Sequence, residues 1–161
     1  MQMKDKPMKS KYLIEPAVKH DYPELIAIWE AAVRATHHFL KEDDLQLFKQ
    51  LIFDQYFDAV DLYAAKDVEG HLQGFMGIAA HHLEMLFVHP DAHGKGVGKL
   101  LLREAIGHFG VTHVDVNEDN QQAFGFYEHF GFETIKRSET DGMGKPYPIL
   151  HLALKSLKSG A

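Results

Sequence analysis

The stretch Leu86-Phe87-Val88-His89-Pro90-Asp91-Ala92-His93-Gly94-Lys95-Gly96-Val97-Gly98-Lys99-Leu100-Leu101-Leu102 carries more information than any other part of the chain. An apolar strand feeds a loop with three glycines, and the loop feeds an apolar helix. The first four N–H groups of a helix lack partners inside it. Glycines let a ligand approach those groups without side-chain obstruction. The helix dipole adds roughly half a positive charge at that end, and Lys95 and Lys99 add whole ones. Together these features describe a local phosphate site.

The chain as a whole argues against a nucleic-acid or anionic-membrane partner drawn by net charge. It has 17 basic and 23 acidic residues in 161, a formal charge of −6. No apolar run approaches the roughly 18 residues of a membrane span. The basic start, residues 1–10, is followed by no apolar segment, so it reads as a mobile leader and not a secretory signal. The expected location is the cytoplasm. With no cysteine, disulfides, Cys-ligated metals and a Cys nucleophile are excluded. A hydrophobic content of 45% in this length suits one domain with one substantial core, expected over 11–156, with a tail at 157–161.

Outward from the loop, periodicity predicts the other elements. Strands are expected at 12–16, 60–65, 71–80, 82–88, 111–116, 132–137 and 148–154. The first helix starts at a capping box of Asp21 and Glu24 and ends near residue 35. The second covers about 43–57, and the third runs from the glycine loop to about 109. The fourth spans about 121–130, with Ala123, Phe126, Tyr127 and Phe130 on one stripe. Gly131 falls where a left-handed cap belongs. Gly125, inside that helix, marks either a close backbone approach or an unremarkable helix glycine. Antiparallel strands first and a β-α-β-α-β run later predict an α/β fold with one mixed sheet of six or seven strands and four main helices.

Three phosphate loops compete for the glycine segment. A Walker loop, Gly-x-x-x-x-Gly-Lys-Ser/Thr, fails on spacing, and Leu100 stands where a hydroxyl should hold magnesium. A dinucleotide fingerprint, Gly-x-Gly-x-x-Gly, needs one more residue. The third is the pyrophosphate loop of the GNAT N-acetyltransferases, Arg/Gln-x-x-Gly-x-Gly/Ala. His93 to Gly98 resembles it at every position but the first. Asn120, Ala123, the Phe126-Tyr127 pair and Gly131-Phe132 follow in the order and spacing of that family. The chain is especially similar to a small bacterial subgroup with His-Leu-Glu, here His82-Leu83-Glu84, and Gly-Lys-Pro-Tyr-Pro, here from Gly144 to Pro148.

The resemblance implies the GNAT fold and a ternary-complex reaction. An acetyl group would pass from acetyl-coenzyme A, the co-substrate, to a primary amine on a small molecule or protein. It implies a cofactor gap between two splayed parallel strands. The backbone of Leu86, Phe87 and Val88 would pair with pantetheine amides. The N–H groups of Gly94, Lys95, Gly96, Val97, Gly98 and Lys99 would cradle the pyrophosphate. His93, in place of Arg or Gln, would add at most one donor when neutral. Asn120 would cap the fourth helix and also bond the cofactor, with Asn117 a second candidate. Periodicity alone makes Tyr127 a core aromatic; the resemblance makes it the acid for the departing thiolate. Glu84 and His82 are the candidate bases. Alternation puts both on one face unless a bulge intervenes.

Trp29, His37, His38, Phe39 and Tyr147 are candidates for the acceptor side, and a homodimer is the implied assembly. The His81-His82 and His89/His93 pairs lack helical i, i+4 geometry, so no functional metal is expected. A non-catalytic acyl-coenzyme A sensor is the alternative class, in which the loop binds but no base is poised.

Overall fold

The computed structural model describes residues 11–155; the expected leader at 1–10 and tail at 157–161 lie outside them. The chain runs β1 (Leu13–Pro16), α1 (Tyr22–Thr36), α2 (Glu42–Leu51), β2 (Asp61–Lys66), β3 (Leu72–Ala79), β4 (His82–Val88), α3 (Val97–Gly107), β5 (His113–Asn117), α4 (Gln121–His129), β6 (Phe132–Ser138) and β7 (Ile149–Leu154). One seven-stranded sheet has the order β1-β2-β3-β4-β5-β7-β6. β4 and β5 are parallel, and the other neighbours are antiparallel. This is the mixed sheet with four α-helices that the periodicity predicts.

Alternation along each strand builds two cores, one on each face. On β2, Leu62 and Ala64 join the cluster under α1 and α2, while Ala65 joins the one under α3 and α4. β4 breaks this rule at one point. Leu83 lies in the α3/α4 core, yet Met85, two residues on, lies in the α1/α2 core. The register explains it: Ile78 faces Leu83 and Gly77 faces Met85, so Glu84 is the extra residue of a bulge.

Two local expectations need correction, and one open alternative is decided. Asp21 and Glu24 form no capping box on α1. Asp21 already has helical backbone angles (φ −82°, ψ −14°), whereas an N-cap needs extended ones. Its carboxylate instead accepts from the N–H of Val18 at 2.9 Å, closing a short 3₁₀ turn, Lys19–Asp21. The second helix does not run uniformly to 57. α2 ends at Leu51 and continues as a π turn, Ile52–Tyr56, and a 3₁₀ turn, Phe57–Ala59. Gly125 marks no close approach, because a Cβ there meets nothing within 4 Å. Other local signals hold. Asn120 caps α4 by accepting from the Ala123 N–H at 3.1 Å, and Gly131 follows the helix at φ +100°.

Candidate active site

β4 and β5 pair only at His82 with His113 and Leu83 with Val114, and then splay. Below the splay lies a cavity of about 700 Å³. Leu86, Phe87 and Val88 form its strand wall, every residue from His93 to Lys99 its loop wall, and Asn120 and Tyr127 part of its α4 wall. The N–H groups of Gly94, Gly96, Val97, Gly98 and Lys99 donate to no acceptor among the described residues. The cradle is one donor short of expectation, because the Lys95 N–H closes a turn onto the Ala92 carbonyl at 3.2 Å. Gly96 is the N-cap of α3 with φ +90°, a left-handed conformation that disfavours any side chain. The helix mouth seats closely on the sheet because β3 carries Gly74 there. A Cβ at Gly74 would stand 2.9 Å from the Phe87 carbonyl oxygen and 3.1 Å from Val97 Cγ1.

A second cavity, about 560 Å³, opens on the α1/α2 face of the sheet. Trp29, Phe48, Phe87 and Tyr147 give it aromatic walls, and Glu84 and Asp141 bring carboxylates. The π turn adds Ile52 and Tyr56, a common use of such turns at functional sites. His37 and Phe87 line both cavities, so the two meet at these side chains.

A model of the acetyltransferase (GNAT) domain matches residues 58–134, the span from just before β2 into β6. The chain is 39% identical over 135 residues to the peptidyl-lysine N-acetyltransferase YjaB of Salmonella typhimurium, covering 83% of this chain and 92% of that one. The chain belongs to the GNAT acetyltransferases. The Escherichia coli YjaB protein is likewise 39% identical over 130 residues, covering 81% and 88% of the two chains. The solution structure of apo YjaB from E. coli superposes with a TM-score of 0.80 at 36% identity, over 88% of this chain and 96% of that one. The PaiA N-acetyltransferase of Thermoplasma acidophilum, solved with coenzyme A, shares the fold at a TM-score of 0.66 and 21% identity, over 88% and 98%.

This GNAT enzyme therefore transfers acetyl from acetyl-coenzyme A to a primary amine. The chain's own residues fit that co-substrate: a row of free N–H donors, two lysines and a splayed strand edge meet in one cavity. No helix among the described residues is long and apolar enough to cross a membrane.

The structure distributes the sequence candidates as follows. Asn117 lies on the wall of the second cavity, away from the glycine loop. Alternation on β5 explains this, since Val114 and Val116 point into the α3/α4 core and Asn117 faces the other way. Trp29 is both core and wall: it is 4% exposed and meets Phe87 edge-on at 6.4 Å. His38 and Phe39 line neither cavity, although the Phe39 ring leans on His37 and Tyr147. Tyr127 is buried in the α3/α4 core and also lines the glycine-loop cavity. Burial alone raises its pKa, and the hydroxyl stays protonated across the physiological range.

His37 caps the C-terminus of α1. Burial first, and His38 second, lower its pKa to about 4. Thr36 Oγ1 donates to the Ala32 carbonyl at 2.8 Å and lies 2.7 Å from His37 Nδ1. With its hydrogen spent on Ala32, that oxygen accepts from Nδ1–H, which leaves the Nε2 lone pair of a neutral ring available.

Glu84 and His82 do come together, with Glu84 Oε2 3.1 Å from His82 Nδ1. His82 Nε2 lies 3.4 Å from Asp115 Oδ1, and that oxygen is 2.9 Å from His151 Nδ1. The pKa of His82 is raised, by the Asp115 hydrogen bond first and the Glu84 charge as well, against burial. Burial works to raise the pKa of Asp115, but His82 and His151 together lower it. Asp115, His151 and Thr36 went unnoticed in the sequence because none stands in a motif. A period-2 reading of β5 and β7 would have put Asp115 and His151 on the exposed face, but not opposite each other. Among the described residues, Asp67, Glu69 and His71 converge on the β2–β3 turn; neither His pair considered from sequence is among them.

Proposed function

We propose that the acceptor is a lysine side chain of a polypeptide. The observation that carries this reading is the shared wall of His37 and Phe87: one cavity suits a coenzyme, and the other opens on the same point from the opposite side. The acceptor cavity is aromatic along its walls, as a four-carbon stem requires, and carries carboxylates for an ammonium group. The names of the YjaB relatives support the same acceptor. Lys145 and Tyr147, both from the Gly-Lys-Pro-Tyr-Pro segment, contact Asp44 at the start of α2.

The thioester supplies an electrophilic carbonyl carbon and a thiolate leaving group. Free N–H groups of the glycine loop hold the pyrophosphate, and the unpaired edge of β4 aligns the pantetheine arm. Asn120, whose side-chain oxygen is occupied by its cap, can offer its amide N–H groups. Glu84, backed by His82, takes the proton that makes the amine nucleophilic. The nitrogen bonds to the carbonyl carbon as the C–S bond breaks, Tyr127 gives its proton to the departing sulfur, and the second proton of the attacking nitrogen leaves through solvent, which returns a proton to the Tyr127 oxygen.

The test is a peptide panel incubated with acetyl-coenzyme A and read by tandem mass spectrometry. Acetyl on lysine Nε is the expected result. Transfer to terminal α-amines or polyamines, with lysine untouched, would overturn the lysine reading.

A further inference from the structure

His82 Nδ1 is the buried side-chain polar atom that has no hydrogen-bond partner among the described residues. Glu84 Oε2 stands 3.1 Å from it, close but not aligned for a bond. The other ring nitrogen faces Asp115 Oδ1, which His151 Nδ1 also reaches at 2.9 Å; His151 Nε2 in turn lies 2.7 Å from Ser138 Oγ. Each of four adjacent strands thus contributes to one continuous line of polar groups. The bulge at Glu84 and the insertion of β7 between β5 and β6, which makes Asp115 and His151 register partners, allow it.

We propose that Asp115, His82 and Glu84 form a proton relay that drains the acceptor amine, with His151 and Ser138 holding Asp115 in place. The relay rests on the reading that the amine enters beside Glu84. The Asp115 carboxylate, 3.4 Å from His82 Nε2, favours the proton on that nitrogen and so keeps the lone pair of the neutral ring on Nδ1, toward Glu84. The substrate ammonium gives one proton to the Glu84 carboxylate. The resulting carboxyl passes it to His82 Nδ1, and the imidazolium sits between two carboxylates. Asp115 orients and stabilises and is not itself protonated, the logic of an Asp-His pair in hydrolases. Asp115 and His151 are positioning residues.

The other groups facing His82 are few. His113 is its register partner on β5, His151 acts through Asp115, and Ala79 opposite on β3 does not titrate. His81 turns its Nδ1 to the Gly110 carbonyl at 2.9 Å.

The experiment compares wild type, Asp115→Asn, Asp115→Glu and His151→Gln as full chains. NMR titration of the His82 ring in the free protein is read beside the pH dependence of kcat/KM on the best accepted amine. Protonated His82 has no lone pair to offer, so activity falls as pH drops through its pKa. Asp115→Asn should move the NMR midpoint and the acid limb together to lower pH. It should also cut the plateau rate about tenfold, short of the roughly 10²–10⁴-fold of a lost base. Acetyl-coenzyme A affinity should not change. Asp115→Glu should recover part of both shifts, and His151→Gln should show a smaller shift.

An unmoved His82 midpoint in Asp115→Asn overturns the proposal. So does a moved midpoint with an unmoved acid limb, which would leave Asp115 merely structural. The NMR readout needs no acceptor. If lysine proves the wrong amine, the relay is still read on the right one.

Discussion

The Tyr147 hydroxyl donates a 2.5 Å hydrogen bond to Asp44, a residue 103 positions earlier in the chain. The Lys41 N–H donates to the same phenol oxygen at 3.2 Å, and Lys145 pairs with the other Asp44 oxygen at 3.0 Å. The carboxyl of Asp44 is held below the usual range, by Tyr147 first and Lys145 next. The loop before β7 is thereby tied to the start of α2, and Tyr147 keeps its ring on the wall of the second cavity, where the acceptor is proposed to enter. Tyr147→Phe keeps the ring and loses the tie. The acceptor KM should rise about 2- to 10-fold, the worth of one ordinary hydrogen bond, with acetyl-coenzyme A binding unchanged. Steady-state kinetics with each substrate varied in turn checks this.

Gly96 separates strain from charge. A Cβ there meets nothing within 4 Å, so the cost of Gly96→Ala comes from φ +90° alone, about 1 kcal/mol of stability. Gly96→Asp adds a carboxylate where the pyrophosphate would lie. Calorimetry should show a modest loss of acetyl-coenzyme A affinity for the first variant and a loss of roughly 100-fold or more for the second, since a like charge replaces a helix-mouth attraction.

Tyr127→Phe removes a proton donor but keeps the ring that packs edge-on against Phe132 at 5.8 Å. Turnover should fall roughly 10- to 100-fold, because a thiolate is already a fair leaving group. The calorimetric affinity for acetyl-coenzyme A should not move. Wild type should show no alkaline limb from this phenol below pH 10, since burial raises its pKa.

His37 makes stability depend on pH. Its folded pKa is about 4, against 6.5 for the free side chain. Below pH 6.5 the unfolded chain binds a proton that the folded chain refuses. The protein should therefore lose stability as pH falls from 6.5 toward 4 and lose no more from this group below that. The shift sets an upper size of about 3 kcal/mol. Urea midpoints at pH 7 and pH 5 should differ less in His37→Gln than in wild type. The reverse ordering would mean the ring is charged in the folded state.

From its sequence alone this chain settled every strand, the helical segments, the Asn120 cap, the Gly131 stop and the glycine loop. Each of these signals is local, written within a few residues by period, cap and turn chemistry. The same locality explains the failures. Asp21 looked like a cap until the chain entered α1 through a 3₁₀ turn, and the helix past Leu51 widened into a π turn where it borders the second cavity. Tertiary structure alone decided that Glu84 bulges, that Asn117 faces away from the glycine-loop cavity, that His37 stands where two cavities meet, and that Asp115 lies between two histidines. These depend on strand order and register. A sheet running β5-β7-β6 brings residues 115 and 151 side by side, and no spacing along the chain encodes that adjacency.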